Sequence, residues 1–175
     1  MIDWSKVYKL KASEFPEDPD LHADPSLIYA LGGLRSSLKD ELLLPSPARG
    51  ALARFDGSKT SQHYAVGRFS TACDIFCTGV PNDAYKLILA NPFFKGIGIY
   101  LDTKGPDGLP WIMFHVDIRR ESLPGNKPLV WIVKKEINPV THKKADSYYY
   151  PHKDHNLWDL LNASTFFKNK QYGIS

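Results

Sequence analysis

The stretch Trp111-Ile-Met-Phe-His115-Val-Asp117-Ile-Arg119 constrains this chain more than any other. Side chains alternate faces along a β-strand. In that conformation Ile112, Phe114, Val116 and Ile118 form an apolar face, and Met113, His115, Asp117 and Arg119 form the opposite one. Solvated sheet faces favour Thr, Lys and Glu over an imidazole, a carboxylate and a guanidinium in series. The pattern predicts a strand with its back to a core and chemically useful groups on its front.

The rest of the chain supplies the frame. Leu27, Ile28, Ala30, Leu31, Leu34, Leu38 and Leu42 recur at spacings of three and four, the signature of an amphipathic helix. Asp24 suits its N-cap, Pro25 its first position, and Pro45 ends the segment. Gly32-Gly33 inside it invites a kink. Pro81-Asn82-Asp83 opens a second helix running to Ala90, with Ala84, Leu87 and Ile88 inward. Further strands are expected at Thr71–Cys77, Gly96–Leu101, Val130–Lys134 and Ser147–Tyr150, with a turn over Lys104–Gly108. A short helix around Leu157–Leu161 is expected in the tail. Without a regular β-α-β rhythm, the fold class is α+β, with a small, mainly antiparallel sheet and flanking helices. Three segments follow: an irregular stretch 1–24, where Glu17–Asp20 between prolines is expected to be neither helix nor central strand; a domain over 25–150; and a tail over 151–175.

The 175 residues fit one domain, and 43% hydrophobic with 23% charged residues excludes global disorder. No apolar run approaches the length of a membrane span, and Met1–Leu10 has no apolar stretch of a secretory signal. A net charge of +3, with basic residues scattered and no interleaving with aromatics, argues against nucleic acid as a partner. Cys73 and Cys77 are read as buried thiols in a reducing compartment.

Chemistry gathers in two places. Ser61-Gln62-His63 lies in the Gly- and Pro-rich region 45–70, just before the strand carrying Asp74. On that strand Cys73, Ile75 and Cys77 take the core side, so Asp74 points the other way. Together with His115, these are suitable zinc ligands, since a catalytic zinc takes three protein ligands and keeps one position open. His152 and His155 form a polar pair in the tail, and His22 and His142 read as surface. Tyr148-Tyr149-Tyr150 reads first as a strand of mixed burial, with stacking on a ligand as the alternative.

Ser61-Gln62-His63, Gly67-Arg68, Ala72-Cys73-Asp74, Gly96-Ile97-Gly98-Ile99-Tyr100 and Phe114-His115-Val116-Asp117-Ile118-Arg119 resemble the motifs of the zinc D-Ala-D-Ala carboxypeptidase-like peptidases. That family includes the L-alanyl-D-glutamate endolysins of phages. Ser46-Pro-Ala-Arg49 resembles its upstream substrate-side segment, and the resemblance covers about residues 26–135. It implies a Hedgehog/D,D-peptidase-like fold, zinc held by His63, Asp74 and His115, and hydrolysis of peptide bonds in peptidoglycan stem peptides. It further implies Ser61 and Arg49 on the substrate side, with Arg49 holding a carboxylate and Arg119 structural. A phage or prophage product of this kind reaches the wall through a holin or within a virion, which suits the absence of a signal. Two departures stand out. The interval from His63 to Asp74 is longer than usual, as if Phe69-Ser70-Thr71 and a neighbour were inserted. Ile112 stands where many relatives carry a glutamate base, leaving Asp117 as the candidate base or as a group that orients a ligand. Both departures also suit a non-catalytic virion or structural protein that keeps the fold.

Overall fold

The computed structural model describes residues 1–38, 43–45, 52–53, 55, 58–78, 81–105 and 108–153. Its helices are α1 (Pro19–His22), α2 (Pro25–Ser37) and α3 (Pro81–Ala90). Its strands are β1 (Leu43–Pro45), β2 (Ala72–Cys77), β3 (Gly96–Lys104), β4 (Pro110–Asp117), β5 (Leu129–Ile137) and β6 (Lys144–Tyr149). They form one sheet in the order β1-β2-β4-β3-β5-β6. Every neighbouring pair is antiparallel except β3 with β5. The fold is therefore α+β with a mainly antiparallel sheet, as the mixed pattern of elements predicts.

The sheet has two unlike faces. On one, Cys73 and Ile75 of β2, Ile97 and Ile99 of β3, Phe114 and Val116 of β4 and Val130 and Ile132 of β5 join a single apolar core. Leu27, Ile28, Leu31 and Leu34 of α2 and Ala84, Tyr85 and Ile88 of α3 belong to the same core. Fully burying one such aliphatic side chain contributes about 1.5–3 kcal/mol, which fixes the strand register. The other face of β2, β4 and β5 carries Asp74, His115, Asp117 and Trp131.

α2 starts as expected, with the Asp24 carboxylate accepting from the Ser26 N–H at 2.8 Å. It ends at Ser37, with Leu38 as its C-cap, and residues 39–42 lie outside the described residues. α2 is unbroken through Gly32, and the missing side chain serves packing: a Cβ there would lie 3.2 Å from the Tyr8 backbone nitrogen and from Val7 Cγ1. In α3 the buried aromatic is Tyr85, with Leu87 only partly buried against the core.

Two expectations need correction at the N-terminus. Pro19–His22 is a helical turn, because Pro19 sits at its start and Asp18 caps the Asp20 N–H. The first 24 residues also share the domain's core, through Ile2, Val7, Leu10 and Phe15. Asp20 accepts from the Ile2 N–H and the Trp4 indole, and Glu14 pairs with the buried Arg35 at 2.5 Å. The tail helix expected at 157–161 lies outside the described residues.

Candidate metal centre

Register brings the first two groups together. Asp74 of β2 is the direct cross-strand partner of His115 of β4, so both project from the same sheet face. Asp117, two residues further along β4, shares that face. On the other side of β4, the partners of His115 and Asp117 are Gly98 and Gly96 of β3. Neither glycine is there for a turn. A Cβ on Gly96 would lie 2.2 Å from Asp117 Oδ2, and one on Gly98 would lie 2.7 Å from the Trp131 ring. The two glycines open a trough across β3. Asp117 fills one end, and Trp131 crosses from β5 to reach His115, ring centres 5.2 Å apart.

His63 comes from the loop before β2, and Ser70 and Thr71, between His63 and Asp74, fasten that loop. Ser70 bridges to Ala23, its N–H donating to His22 O and its carbonyl accepting from the Asp24 N–H. The Thr71 N–H donates to the Gln62 carbonyl at 3.0 Å. The Leu52 carbonyl accepts from Ser70 Oγ at 2.5 Å and faces His63 Nδ1 at 2.9 Å.

Three atoms converge. His63 Nε2 lies 3.2 Å from Asp74 Oδ1 and 3.0 Å from His115 Nδ1, which itself lies 3.0 Å from Asp74 Oδ1. All three residues are buried. A zinc ion with bonds of about 2.0–2.1 Å holds tetrahedral ligands about 3.3 Å apart, close to this triangle.

The tautomers decide what the triangle offers. The Leu52 carbonyl can only accept, so His63 carries its proton on Nδ1 and turns the Nε2 lone pair inward. Asp117 Oδ2, 3.1 Å from His115 Nε2, likewise draws the His115 proton to Nε2 and leaves Nδ1 facing the cluster. Two lone pairs and a carboxylate oxygen cannot share so small a space without a cation between them, be it a metal ion or a proton. The donor set of two imidazoles and one carboxylate fits zinc. No family model, curated protein or solved structure matches this chain. The reading of the site therefore rests on its residues and geometry.

Without metal the cation is a proton. Burial alone would lower the His115 pKa, but hydrogen bonds with Asp117 and Asp74 outweigh it and push the pKa up to about 9. Burial would raise Asp74, yet its bonds to His115 and His63 hold it well below the usual carboxylate range. Asp117 is held equally low against its burial by Arg119 and His115. The His115 contribution to stability is complete below its ordinary value of 6.5 and is lost as pH rises through about 9. The carboxylate contributions are complete above 3.8 and fade as pH falls below it. Thermal unfolding in the presence of a chelator is thus expected to show greatest stability between roughly pH 4 and 6.5, with a decline of a few kcal/mol toward pH 9–10. A flat profile from pH 6 to 10 would remove the charged His115.

The other anticipated residues divide. Ser61 lines the cavity, and its Oγ accepts from the His63 N–H at 3.3 Å. Asp117 is wholly buried, with Arg119 donating to both its oxygens and His115 on Oδ2. A carboxylate so engaged and sealed from the cavity has the placement of a group that orients His115; a base role for Asp117 does not suit it. Arg119 lines the cavity beside the cluster, which a purely structural role does not require. Arg49 and His155 lie outside the described residues, and His152 is an exposed residue in a 3-10 turn, 5.7 Å from the Tyr150 ring. Trp131 and the Leu52 carbonyl were not anticipated from sequence, and Tyr100 was named there only as part of the Gly96–Tyr100 motif, without a role in the cavity. The signal for Trp131 was the Gly-x-Gly of β3, whose bare backbone needs a large side chain from a neighbouring strand to fill it.

The cluster opens into a cavity of about 360 Å³. Thr60, Ser61 and Gln62 line one part of it, and Tyr100, Leu129, Trp131, Tyr148 and Tyr150 line another.

Proposed function

We propose that this protein is a zinc-dependent hydrolase acting on peptide bonds of peptidoglycan stem peptides, phage or prophage encoded, with a Hedgehog/D,D-peptidase-like fold. The observation that carries the reading is the inward-facing triangle of His63 Nε2, Asp74 Oδ1 and His115 Nδ1 at the floor of an open cavity. The motif residues that resemble the zinc peptidases are the residues that build this triangle and its trough. Zinc bound there supplies a Lewis acid for a carbonyl and acidifies water. Around it, the chain's own residues fix the ligands: Leu52 sets His63, Asp117 sets His115, and Arg119 holds Asp117. Among the described residues no helix is long and apolar enough to cross a membrane.

A second reading has its own observation. Among the described residues lining the cavity, Asp74 is the single carboxylate, and it belongs to the cluster. A virion or structural protein that keeps the metal without turnover would look like this. Zinc content and release of wall fragments, measured on one purified preparation, separate the two. Fragment release above the background of a His115→Ala variant supports the hydrolase; stoichiometric zinc with no release supports the second reading.

The placement of Asp117 makes its own prediction. Asp117→Asn keeps the shape but removes the charge that holds His115 and Arg119. Zinc affinity is expected to fall roughly 10- to 100-fold, the usual cost of losing a group behind a ligand, with activity falling in step at limiting zinc. Turnover lost at unchanged zinc affinity would restore Asp117 as the base.

A further inference from the structure

We propose that the tyrosine wall of the cavity, formed by Tyr100, Tyr148 and Tyr150, is a saccharide subsite that stacks a neutral N-acetylated sugar ring beside the metal cluster. The inference rests on the hydrolase reading for the polymer, peptidoglycan, and names the glycan strand as the part of it that this wall holds.

Strand alternation splits the Tyr148-Tyr149-Tyr150 run. The cross-strand partner of Tyr149 is Ile132, a core residue, and the Tyr149 hydroxyl donates to Glu136 at 2.7 Å. Tyr148 and Tyr150 take the other side and line the cavity. Tyr148 pairs with Val133 of β5, whose partner on β3 is Tyr100, so the three residues follow one another across the sheet on the face of the cluster. Tyr148 is 52% exposed and Tyr150 36%. Lys153 Nζ lies over the Tyr150 ring, 5.1 Å from its centre, and the His152 ring meets it at 5.7 Å. Neither of the two lines the cavity, so Tyr150 is braced by groups outside it. Trp131 is engaged by His115 and Arg119 and closes the inner end of the wall. Three strand spacings separate β4 from β6, about 14 Å in all. The wall thus starts beside the cluster and runs outward far enough to hold a sugar ring.

Charge selects the ligand. Arg119 is the single arginine or lysine among the described lining residues, and it is taken by Asp117 and acted on by Glu121 as well. The other polar groups around the wall are the hydroxyls of Thr60, Ser61 and the tyrosines and the amide of Gln62. A purely apolar ligand would strip water from these groups and return no hydrogen bond. A pyranose meets both demands: its C–H face lies on an aromatic ring, and its hydroxyl and acetamido groups bond at the edges. A nucleobase also stacks, but its phosphates call for cations that the lining does not spare.

The probe is a β-1,4-linked N-acetylglucosamine tetramer, titrated calorimetrically into the full chain supplied with zinc. Wild type is expected to bind it with a Kd below about 1 mM. Tyr148→Ala and Tyr150→Ala are each expected to weaken binding about 10-fold, and Tyr148→Phe, which keeps the ring, by less than about 3-fold. Tyr149→Ala, on the opposite side of the strand, is expected to leave binding unchanged. Both truncated rings are exposed, and melting curves of the variants separate a lost contact from a lost fold. Absence of binding to wild type overturns the subsite, as does binding that survives in both alanine variants. A loss in Tyr148→Phe equal to that in Tyr148→Ala overturns it too, since the hydroxyl and not the ring would then carry the contact. So does a single-stranded oligonucleotide that binds more tightly than the tetramer, which would make the wall a base-stacking platform. Release of wall fragments is read on the same preparation. Sugar binding without release overturns the hydrolase reading and leaves the subsite in place; release without sugar binding does the reverse.

Discussion

A His115→Ala variant is expected to lose nearly all bound zinc at micromolar metal, with an affinity drop of roughly 10²–10³-fold. A closed zinc site is worth about 10–16 kcal/mol in all, so one ligand of three or four carries several kcal/mol. His115 has more than an average share, because its ring is clamped between Asp117 and Asp74 and covered by Trp131. The metal-free variant should also lose the stability attached to the charged imidazole, leaving Asp117 with Arg119 alone. Equilibrium dialysis against zinc, with His152→Ala, His155→Ala as the companion variant, gives the comparison. Zinc retained in His115→Ala and lost in the companion would place the metal in the tail and end the present assignment.

The second large effect belongs to a residue with no side chain. Gly96→Ala puts a methyl group 2.2–2.5 Å from all three atoms of the Asp117 carboxylate, which is fully buried and cannot swing to solvent. Either β3 separates from β4 or Asp117 leaves His115 and Arg119. Overpacking of this kind costs about 1–3 kcal/mol, and loosening a buried ion pair adds to it. A loss of about 3 kcal/mol corresponds to a fall of roughly 6–12 °C in Tm for a chain of this size. Gly33→Ala is the matched control, since nothing lies within 4 Å of a Cβ there and the position is inside α2. It should gain up to about 1 kcal/mol from helix propensity. Equal effects at the two positions would mean that the β3 trough is not packed as described.

The sheet and both longer helices were legible because their residues repeat with the right period. Ile112, Phe114 and Val116 alternate, Leu27, Leu31 and Leu34 recur by turns, and Asp24-Pro25 marks a helix start in the chemistry of its own side chains. Asp74 and His115 were legible for a related reason: each is a polar residue where strand alternation leaves a side facing away from the core; His63, in the loop before β2, was read from its Ser61-Gln62-His63 segment instead. What escaped the sequence is non-periodic. Ile2, Val7, Leu10 and Phe15 reach the core from an irregular backbone, so no spacing announces them, and the bare backbone at Gly32 that receives the chain is equally consistent with a kink. The turn at Pro19–His22 was masked by its proline, which closes a helix from the inside but opens one at its first position. Asp117 and Arg119 lie in the right strand, yet whether a carboxylate takes a proton or holds a ring depends on which atoms surround it. Trp131 joins the site across the parallel pairing of β3 with β5, a contact between distant parts of the chain that no local pattern records.

The three ligands do not share one mechanical origin. Asp74 and His115 are neighbours in the middle of the sheet, locked by the pairing of β2 with β4. His63 belongs to a loop held outside the strand ladder, by links such as those of Ser70 to Ala23, Thr71 to Gln62, Arg68 to Lys59, Ser61 and Tyr64, and Leu52 to His63 and Ser70. Loops held outside a sheet ladder open locally at lower free energy than the central strands beneath them. Metal exchange would then run through a two-ligand intermediate in which the loop has lifted and the sheet has not. The off-rate would follow the frequency of that lifting, and a bound ion would act as a clasp that slows hydrogen exchange in the loop while leaving the central strands as slow as before.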